Sequence, residues 1–346
     1  MNVFFSASIG ASLDPARQAV KREQAGLPQQ RKPIDVPHQP LRLCPLPALG
    51  FLSATGADAE SFLNAQLSQE VRRLEPQETR LAAWHDARGR VQALVRVLRL
   101  DSDEWLLLTP AESLADLVTR MGVFVLRADV RLEKAGSRWR GAALIGQADI
   151  WLDQQGVSLG MRPGDALHRG ALIWIRVGPE LLQVIGPPEV MANVAPDLTS
   201  GTEVQAELAG IRLGLPEITP VLRERFLPQM LNLDWLGALA FDKGCYPGQE
   251  VIARTQNLGS VKRRLHRFSA ARSDPPAVGA EVLDESGTPV GVIVRAAQAQ
   301  ERVELLAVIQ LNARKGVLVC EDDPGSPLRL EPLPYEGGDP RGIAHP

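Results

Sequence analysis

An octapeptide at residues 243–250, Lys-Gly-Cys-Tyr-Pro-Gly-Gln-Glu, places the strongest constraint on how this chain can fold. Its two glycines and its proline interrupt helices and strands, so it predicts a tight, exposed loop. A cysteine on such a loop beside a cation tends toward the thiolate, which attacks electrophiles or binds metals. Cys245 is therefore a candidate reactive thiol, with Lys243 as its electrostatic activator. The alternative is a buried structural cysteine, which is the commoner fate of this residue type.

A short helix is predicted directly after the loop, over residues 250–257, and Gly259 is placed to end it. The amino end of such a helix carries partial positive charge, which the carboxylate of Glu250 complements. The loop with Cys245 is thus expected to lie at the amino end of a helix.

Short strands joined by turns dominate the first half of the chain. Residues 48–54 are apolar and precede a helix capped near Asp58, while residues 81–85 and 91–100 bracket a hairpin turn at residues 86–90. Residues 105–109 continue the sheet, and 123–126 and 130–132 predict further strands. A second helix is indicated by apolar residues at helical spacing, namely Leu114, Leu117, Val118 and Met121. Strands mixed with two helices in this way predict an α+β fold.

The second half gives strands at residues 171–177 and 181–185 and a helix starting near Pro188. After Val261 the helix signals stop, and short strands are predicted at residues 281–283, 290–295 and 303–310. These predict a small β-barrel or sandwich that packs on its neighbour.

Composition restricts the function classes. A net charge of −3 gives no overall attraction to nucleic acid or membranes, and no apolar run approaches the roughly 20 residues of a membrane helix. The three cysteines are widely spaced and form no CxxC pair, so we expect a reducing, cytoplasmic setting. The first residues lack the basic segment of a signal peptide, and the proline-rich residues 1–40 predict a loosely attached extension.

The octapeptide resembles the signature of the YgfZ family, folate-binding proteins that assist iron–sulfur enzymes and have the fold of the glycine cleavage T-protein, an aminomethyltransferase. The resemblance runs from about Cys44 to about Pro334. Besides the octapeptide, it rests on Phe226-Leu227-Pro228-Gln229, Asn232-Leu233, Arg254, Gly56-Ala57-Asp58-Ala59, Phe62-Leu63, Gln66-Leu67 and Asp86-Ala87-Arg88-Gly89-Arg90. It implies two mixed α+β domains and a carboxy-terminal small β-barrel arranged in a ring. The expected bounds are residues 1–40 for the extension, 41–135 and 136–260 for the two α+β domains, 261–335 for the barrel and 336–346 for a tail.

The same resemblance implies a folate-binding accessory protein that supports iron–sulfur cluster assembly or repair and thereby tRNA modification. Tetrahydrofolate or a derivative would be the cofactor, and iron–sulfur enzymes or assembly proteins the partners, with no stable nucleic-acid or membrane partner and no metal ligands. Cys245 and Lys243 would be the reacting pair. The candidate folate-binding residues are Gln229, Asn232, Tyr246, Gln249, Glu250, Arg254, Asp86 and Arg88.

Two departures from the parent fold affect this interpretation. Aminomethyltransferases carry paired aspartates after the hairpin turn, where this chain has Gln92 and Ala93, and a second folate-contacting acid where it has Arg212. An amide or a methyl group cannot transfer a proton as a carboxylate does. The missing acids therefore favour the accessory protein over an enzyme. A folate-dependent one-carbon transferase is the first alternative, and a non-catalytic interaction scaffold is the second.

Two further groups of residues are expected to be structural. Of the cations Arg254, Lys262, Arg263, Arg264 and Arg267, most are expected on the solvated face of a strand, whereas Arg254 lies close to the octapeptide. The alternatives are a positive wall for an anionic folate tail or an RNA site, and stacking aromatic residues are too scarce near them to favour RNA. His85 is expected to pack or hydrogen-bond rather than to catalyse.

Overall fold

The computed structural model of the protein describes residues 40–257 and 259–335. These residues form three sheets with six α-helices among and around them, which agrees with the predicted α+β class. The predicted extension, apart from residue 40, and the predicted tail lie outside the described residues. None of the described helices is both long enough and apolar enough to cross a membrane.

The first sheet is antiparallel and has the strand order β3-β4-β5-β2-β6. Its strands are β2 (Leu49–Thr55), β3 (Thr79–His85), β4 (Val91–Arg99), β5 (Glu104–Pro110) and β6 (Arg131–Lys134). Helices α1 (Ala59–Gln66) and α2 (Leu114–Gly122) cover one face, where their apolar side chains pack against those of the strands. Both helices were predicted, and α2 buries Leu114, Leu117 and Met121 as the spacing indicates.

The second sheet has the order β11-β1-β7-β10-β9-β8, and its strand β1 comes from the start of the described chain. Its strands are β1 (Arg42–Pro45), β7 (Arg140–Ile145), β8 (Ala166–Arg169), β9 (Leu172–Gly178), β10 (Leu181–Gly186) and β11 (Thr199–Ser200). Strand β1 lies between β7 and β11, so the second sheet includes residues from before the first sheet. One face packs on the first sheet, and helix α3 (Asp149–Gln154) lies against the other. The predicted domain boundaries stay predictions.

The third sheet is antiparallel, with the order β16-β13-β14-β15-β12-β17. Its strands are β12 (Arg263–Ala270), β13 (Glu281–Asp284), β14 (Pro289–Ala299), β15 (Arg302–Gln310), β16 (Leu318–Cys320) and β17 (Arg329–Glu331). The sheet curls like a half-barrel, and the amide of Leu328, beside β17, donates to the carbonyl of Leu318 in β16 at 2.7 Å. The expected barrel is thus a curled sheet whose two edges meet at this bond. As predicted, the described residues after helix α6 (Gln249–Asn257) contain no helix.

A single apolar core joins the first sheet, helix α5 (Glu203–Arg212), helix α6 and the third sheet. Its buried members include Ala83, Val91, Leu94, Leu208, Ile211, Phe226, Tyr246, Ile252, Leu265, Val294 and Leu306. Short 3-10 helices at Pro220–Leu222 and Pro228–Leu231 also contribute to it. This shared core fixes the position of the octapeptide relative to both neighbouring sheets.

One predicted element is wrong, and one observed helix was not predicted. Residues 123–126 form turns rather than a strand, and Leu126 has a φ of 50°. Helix α5 was not predicted, although Thr202 and Gln205 form a capping box at its start: each side chain accepts a hydrogen bond from the other's backbone N–H. The remaining short helices are α4 (Pro188–Met191), near the predicted position, and a 3-10 helix at Ala111–Ser113 that precedes α2.

The predicted solvated face of β12 is wrong for Arg264, which is buried beside exposed Arg263. Its guanidinium donates to both carboxylate oxygens of Asp234, at 2.6 and 2.8 Å, and lies 4.1 Å from the ring centroid of Trp235. It also donates to the carbonyl of Gln229 at 2.9 Å. These contacts fasten the segment before the octapeptide to the third sheet.

We expect Arg264→Met to destabilise the protein by about 3–5 kcal/mol, because it leaves the carboxylate of Asp234 buried without its cation. Urea unfolding measures the loss. The matched control is Arg263→Met, one residue away and exposed, for which the change is expected to stay within about 0.5 kcal/mol. Equal losses for the two variants would contradict the proposed importance of the buried ion pair.

Candidate functional site: the Cys245 loop and the inter-sheet cavity

The octapeptide forms an exposed turn that enters helix α6, as predicted. Cys245 is exposed, whereas Lys243 and Tyr246 on either side of it are buried, with 8% and 6% of their surface accessible. The helix begins at Gln249, one residue earlier than predicted. The buried flanking side chains therefore fix a loop whose thiol faces outward.

Lys243 is anchored by three backbone carbonyls at the carboxyl end of α1. Its ammonium group donates to the carbonyl oxygens of Asn64, Leu67 and Gln69 at 2.6, 2.7 and 2.6 Å. Burial lowers its pKa to about 8, so the ammonium form with three donors still predominates at neutral pH. Through these contacts Lys243 connects the loop to the carboxyl end of α1, which packs on the first sheet. Its role as activator of Cys245 stays a prediction.

The second motif meets the octapeptide through two glycines. Gly248 has a φ of 76° and Gly89 a φ of 73°, and a Cβ on Gly248 would lie 2.5 Å from the Cα of Gly89 and 2.6 Å from the carbonyl oxygen of Asp86. The approach is possible because neither residue carries a side chain. The two segments that carried the resemblance are thus in direct contact, although about 160 residues separate them in the sequence.

Asp86 builds the turn that makes this contact. Its Oδ1 accepts from the backbone amides of Arg88 and Arg90, at 2.9 and 2.7 Å, and its carbonyl accepts from Gly89 at 3.0 Å. These are the contacts of a residue that builds the hairpin turn predicted at residues 86–90. The side chain of Arg88 is exposed.

The other predicted folate contacts divide into buried and surface residues. Gln229 and Asn232 are fully buried and donate to the carbonyls of Ile252 and Leu265, both at 2.9 Å, so they tie α6 and β12 to the intervening chain. Other predicted contacts lie outside: Gln249 is half-buried, and Glu250 and Arg254 form an exposed ion pair on α6 at 2.7 Å. The roles of these residues in binding remain predictions.

Two polar side chains behind the loop are buried without hydrogen-bond partners in the described chain. They are His85, at both ring nitrogens, and Tyr246, at its hydroxyl, and their ring centroids lie 6.0 Å apart. Burial lowers the pKa of His85 to about 3 and raises that of Tyr246 to about 12, which keeps both side chains neutral. The predicted packing role of His85 agrees with its position in the core, and its ring makes no hydrogen bond to a described residue.

A cavity of about 160 Å³ lies between the first and second sheets, α5 and β14. Most of its wall consists of leucine, alanine, proline and valine side chains, and its charged residues are Arg96, Glu203, Glu207, Glu217 and Arg295. No residue of the octapeptide or of α6 lines it within the described chain. The inter-sheet cavity and the exposed thiol are therefore separate features, whereas the resemblance placed the candidate folate contacts Tyr246, Gln249 and Glu250 beside Cys245.

Arg295 organises one side of the cavity. Its guanidinium donates to the two carboxylate oxygens of Glu207 and, at 3.0 Å, to the carbonyl of Leu215, and it lies 3.2 Å from an oxygen of Glu217. Burial and the nearby carboxylates of Glu207 and Glu112 raise the pKa of Glu217, while Arg295 opposes this shift. Arg96 differs: among the described residues its one hydrogen-bond acceptor is the Thr79 hydroxyl, at 3.0 Å. Burial lowers its pKa to about 10.

The three positions that differ from the aminomethyltransferases lie outside this cavity. Ala93 is buried under the helices on the opposite face of the first sheet, and Gln92 lines a small pocket on the same side with Thr219. Arg212 donates to both carboxylate oxygens of Glu304, at 3.0 and 2.8 Å. The acids that do face the cavity are ones that the sequence did not single out.

No cluster of three or more histidine, cysteine or acidic side chains that could hold a metal ion occurs in the part of the chain that the structure describes.

The sequence is similar to curated bacterial proteins named tRNA-modifying protein YgfZ. The protein of this name from Escherichia coli O6:K15:H31 (strain 536 / UPEC) is 27% identical over 320 residues, which cover 88% of this chain and 96% of the relative. The protein from Shigella boydii serotype 18 has the same identity and coverage. No protein-family model matches the chain. These relatives confirm the resemblance to the YgfZ family.

A solved structure confirms the fold class. The glycine cleavage system aminomethyltransferase T from Bartonella henselae aligns with a TM-score of 0.68 over 86% of this chain and 87% of its own. The sequence identity is 15%, so the likeness concerns the fold alone. The expected mixed α+β architecture of the T-protein is thereby confirmed.

We expect Gly248→Ala to destabilise the protein by about 1–3 kcal/mol, because the new methyl group collides with the Asp86–Gly89 turn at a positive φ. Chemical denaturation measures the effect. The control is Gly244→Ala in the same loop, where nothing lies within 4 Å of the added carbon, so stability should be unchanged or slightly higher. If Gly248→Ala left the free energy of unfolding unchanged, the close contact between the Asp86–Gly89 turn and the loop would not contribute to stability.

We expect acid to destabilise the protein partly through His85. Between about pH 6.5 and pH 3 the unfolded state binds a proton at this residue that the folded state does not, so stability falls as the pH falls. His85→Leu should reduce that slope by up to about 1.4 kcal/mol per pH unit. Unfolding midpoints measured from pH 7 to pH 4 test this. Identical slopes for the two proteins would mean that His85 is solvated or hydrogen-bonded in solution.

Proposed function

We propose that the protein is a folate-binding accessory factor that supports iron–sulfur cluster assembly or repair and, through iron–sulfur enzymes, tRNA modification. The observation that carries this proposal is the exposed thiol of Cys245 on a loop held by the buried side chains of Lys243 and Tyr246. An exposed, fixed thiol can contact a partner without rearrangement of the fold. The name of the curated relatives, tRNA-modifying protein YgfZ, supports the link to tRNA modification.

A single thiol limits what the loop can do with a cluster. Protein-bound iron–sulfur clusters use several cysteine ligands, and the other two cysteines, Cys44 and Cys320, are buried in separate cores. Cys245 therefore acts on a cluster transiently, together with ligands from the partner protein. The cluster is cargo or substrate in this proposal and not a resident cofactor.

The inter-sheet cavity is the proposed folate site. Its mostly apolar wall with a few charged groups has the character of a small-molecule pocket, and Arg96 offers N–H donors that meet only a hydroxyl in the described chain. A volume of about 160 Å³ suits the ring end of a folate better than the whole molecule. When bound, a reduced folate can carry one-carbon groups. This chain's residues would hold and orient its ring.

The absence of acids at the aminomethyltransferase positions disfavours the transferase alternative. Ala93 and Gln92 face away from the cavity, and both guanidinium contacts of Arg212 go to Glu304. No group at these positions could exchange a proton with a folate in the cavity.

We expect Cys245→Ala to abolish support of an iron–sulfur-dependent tRNA modification while changing the free energy of unfolding by less than about 0.5 kcal/mol, because the thiol is exposed. The measurement is complementation of a strain that lacks the protein, with the modified nucleoside quantified and the protein level checked.

The matched control is Cys320→Ala, which removes a buried sulfur from the third sheet and should cost about 1–2 kcal/mol. At permissive temperature it should still complement. Full complementation by Cys245→Ala would remove the thiol from the proposal.

A further inference from the structure

Three carboxylates face the inter-sheet cavity, and their surroundings distinguish them. Glu207 has both oxygens bound by Arg295. Glu203 is exposed in the first turn of α5. Glu217 lies on the wall with its Oε1 3.2 Å from a guanidinium nitrogen of Arg295, and no described residue donates a hydrogen bond to its carboxylate. Its other oxygen is therefore available to a ligand.

The chemistry of a folate ring explains what such a carboxylate could bind. The 2-amino-4-oxo edge of a pterin presents two adjacent N–H donors, which match the two oxygens of one carboxylate. A carboxylate oxygen has two lone pairs, so Oε1 of Glu217 can keep its contact with Arg295 while it accepts from a ligand. Arg295 also fixes the orientation of the carboxylate before a ligand arrives, which reduces the entropic cost of binding.

We propose that Glu217 is the residue that recognises the pterin ring, by accepting from its 2-amino group and its N3–H. The proposal rests on folate binding in the cavity and assigns the ring-reading role to a position that the sequence comparison with aminomethyltransferases did not indicate. Glu217 follows the Leu213-Gly214-Leu215-Pro216 segment, whereas the parent family's acid precedes it, where Arg212 stands here.

The charged groups around Glu217 fit this role. Partial burial and the carboxylates of Glu207 and Glu112 raise the pKa of Glu217, and Arg295 opposes this, while 44% of the side chain remains accessible to solvent. The N–H donors of a bound pterin ring would replace water at the carboxylate of Glu217. Without them, this carboxylate accepts no hydrogen bond from a described residue. Binding should therefore weaken on acidification at a higher pH than for an ordinary glutamate.

The test is a calorimetric titration of the full chain with tetrahydrofolate and with an analogue that lacks the 2-amino group. The proteins are wild type, Glu217→Gln and, as a control outside the cavity, Glu189→Gln, which changes an exposed glutamate of α4. Wild type should bind tetrahydrofolate at least about 10-fold more tightly than the analogue. Glu217→Gln should bind tetrahydrofolate roughly 10- to 100-fold more weakly and lose the preference between the two ligands. Glu189→Gln should keep both the affinity and the preference.

Each outcome separates this proposal from the one on which it rests. If wild type binds tetrahydrofolate but Glu217→Gln binds it equally well or keeps the preference, the role of Glu217 is overturned and folate binding stands. If wild type binds no tetrahydrofolate at millimolar concentration, both proposals fall. The comparison of the two ligands on wild type needs no variant: equal affinities would overturn the role of Glu217 even if Glu217→Gln did not fold.

Discussion

The contact between the Lys243 ammonium and three carbonyls at the end of α1 is the interaction on which the arrangement of the site depends. A buried ammonium group whose N–H donors had no acceptors would be strongly unfavourable. The loop therefore has one position, in which three carbonyls accept from Lys243. That position brings Gly248 against the Asp86–Gly89 turn and leaves Cys245 outside. The exposure of the thiol is therefore a consequence of the burial of its neighbour.

The thiol loop and the cavity are related through one strand. Leu81 of β3 lines the cavity. His85 lies four residues further along the same face of the strand, and its ring contacts that of Tyr246 in the octapeptide. Four residues of extended chain span about 13 Å, and the buried side chain of Ala83 lies between them. A ring held in the cavity would thus not touch Cys245, so folate binding and thiol chemistry would be coupled through the strand and its core.

Local patterns in the sequence predicted the α+β class, helices α1, α2 and α6, and an exposed Cys245, because these depend on nearby residues. They missed the burial of Lys243 and Arg264, since the carbonyls and the carboxylate that satisfy these cations come from other parts of the chain. The cavity acids were missed for the same reason: Glu207 and Glu217 meet only through Arg295, about 80 residues later. Motif matching indicated Gln229 and Asn232 as ligand contacts, whereas their amides bind backbone carbonyls.

Strand β1 is made early during synthesis, yet its neighbours β7 and β11 are made about 100 and 155 residues later. Until then its backbone groups have no strand partner, and the first sheet can form without it. The second sheet can be completed only after the chain has been synthesised as far as β11, which favours late, cooperative assembly. A fragment that began after the first sheet would carry a gap between β11 and β7. The first and second sheets are therefore expected to fold as one unit, and neither is expected to be stable as a separate fragment.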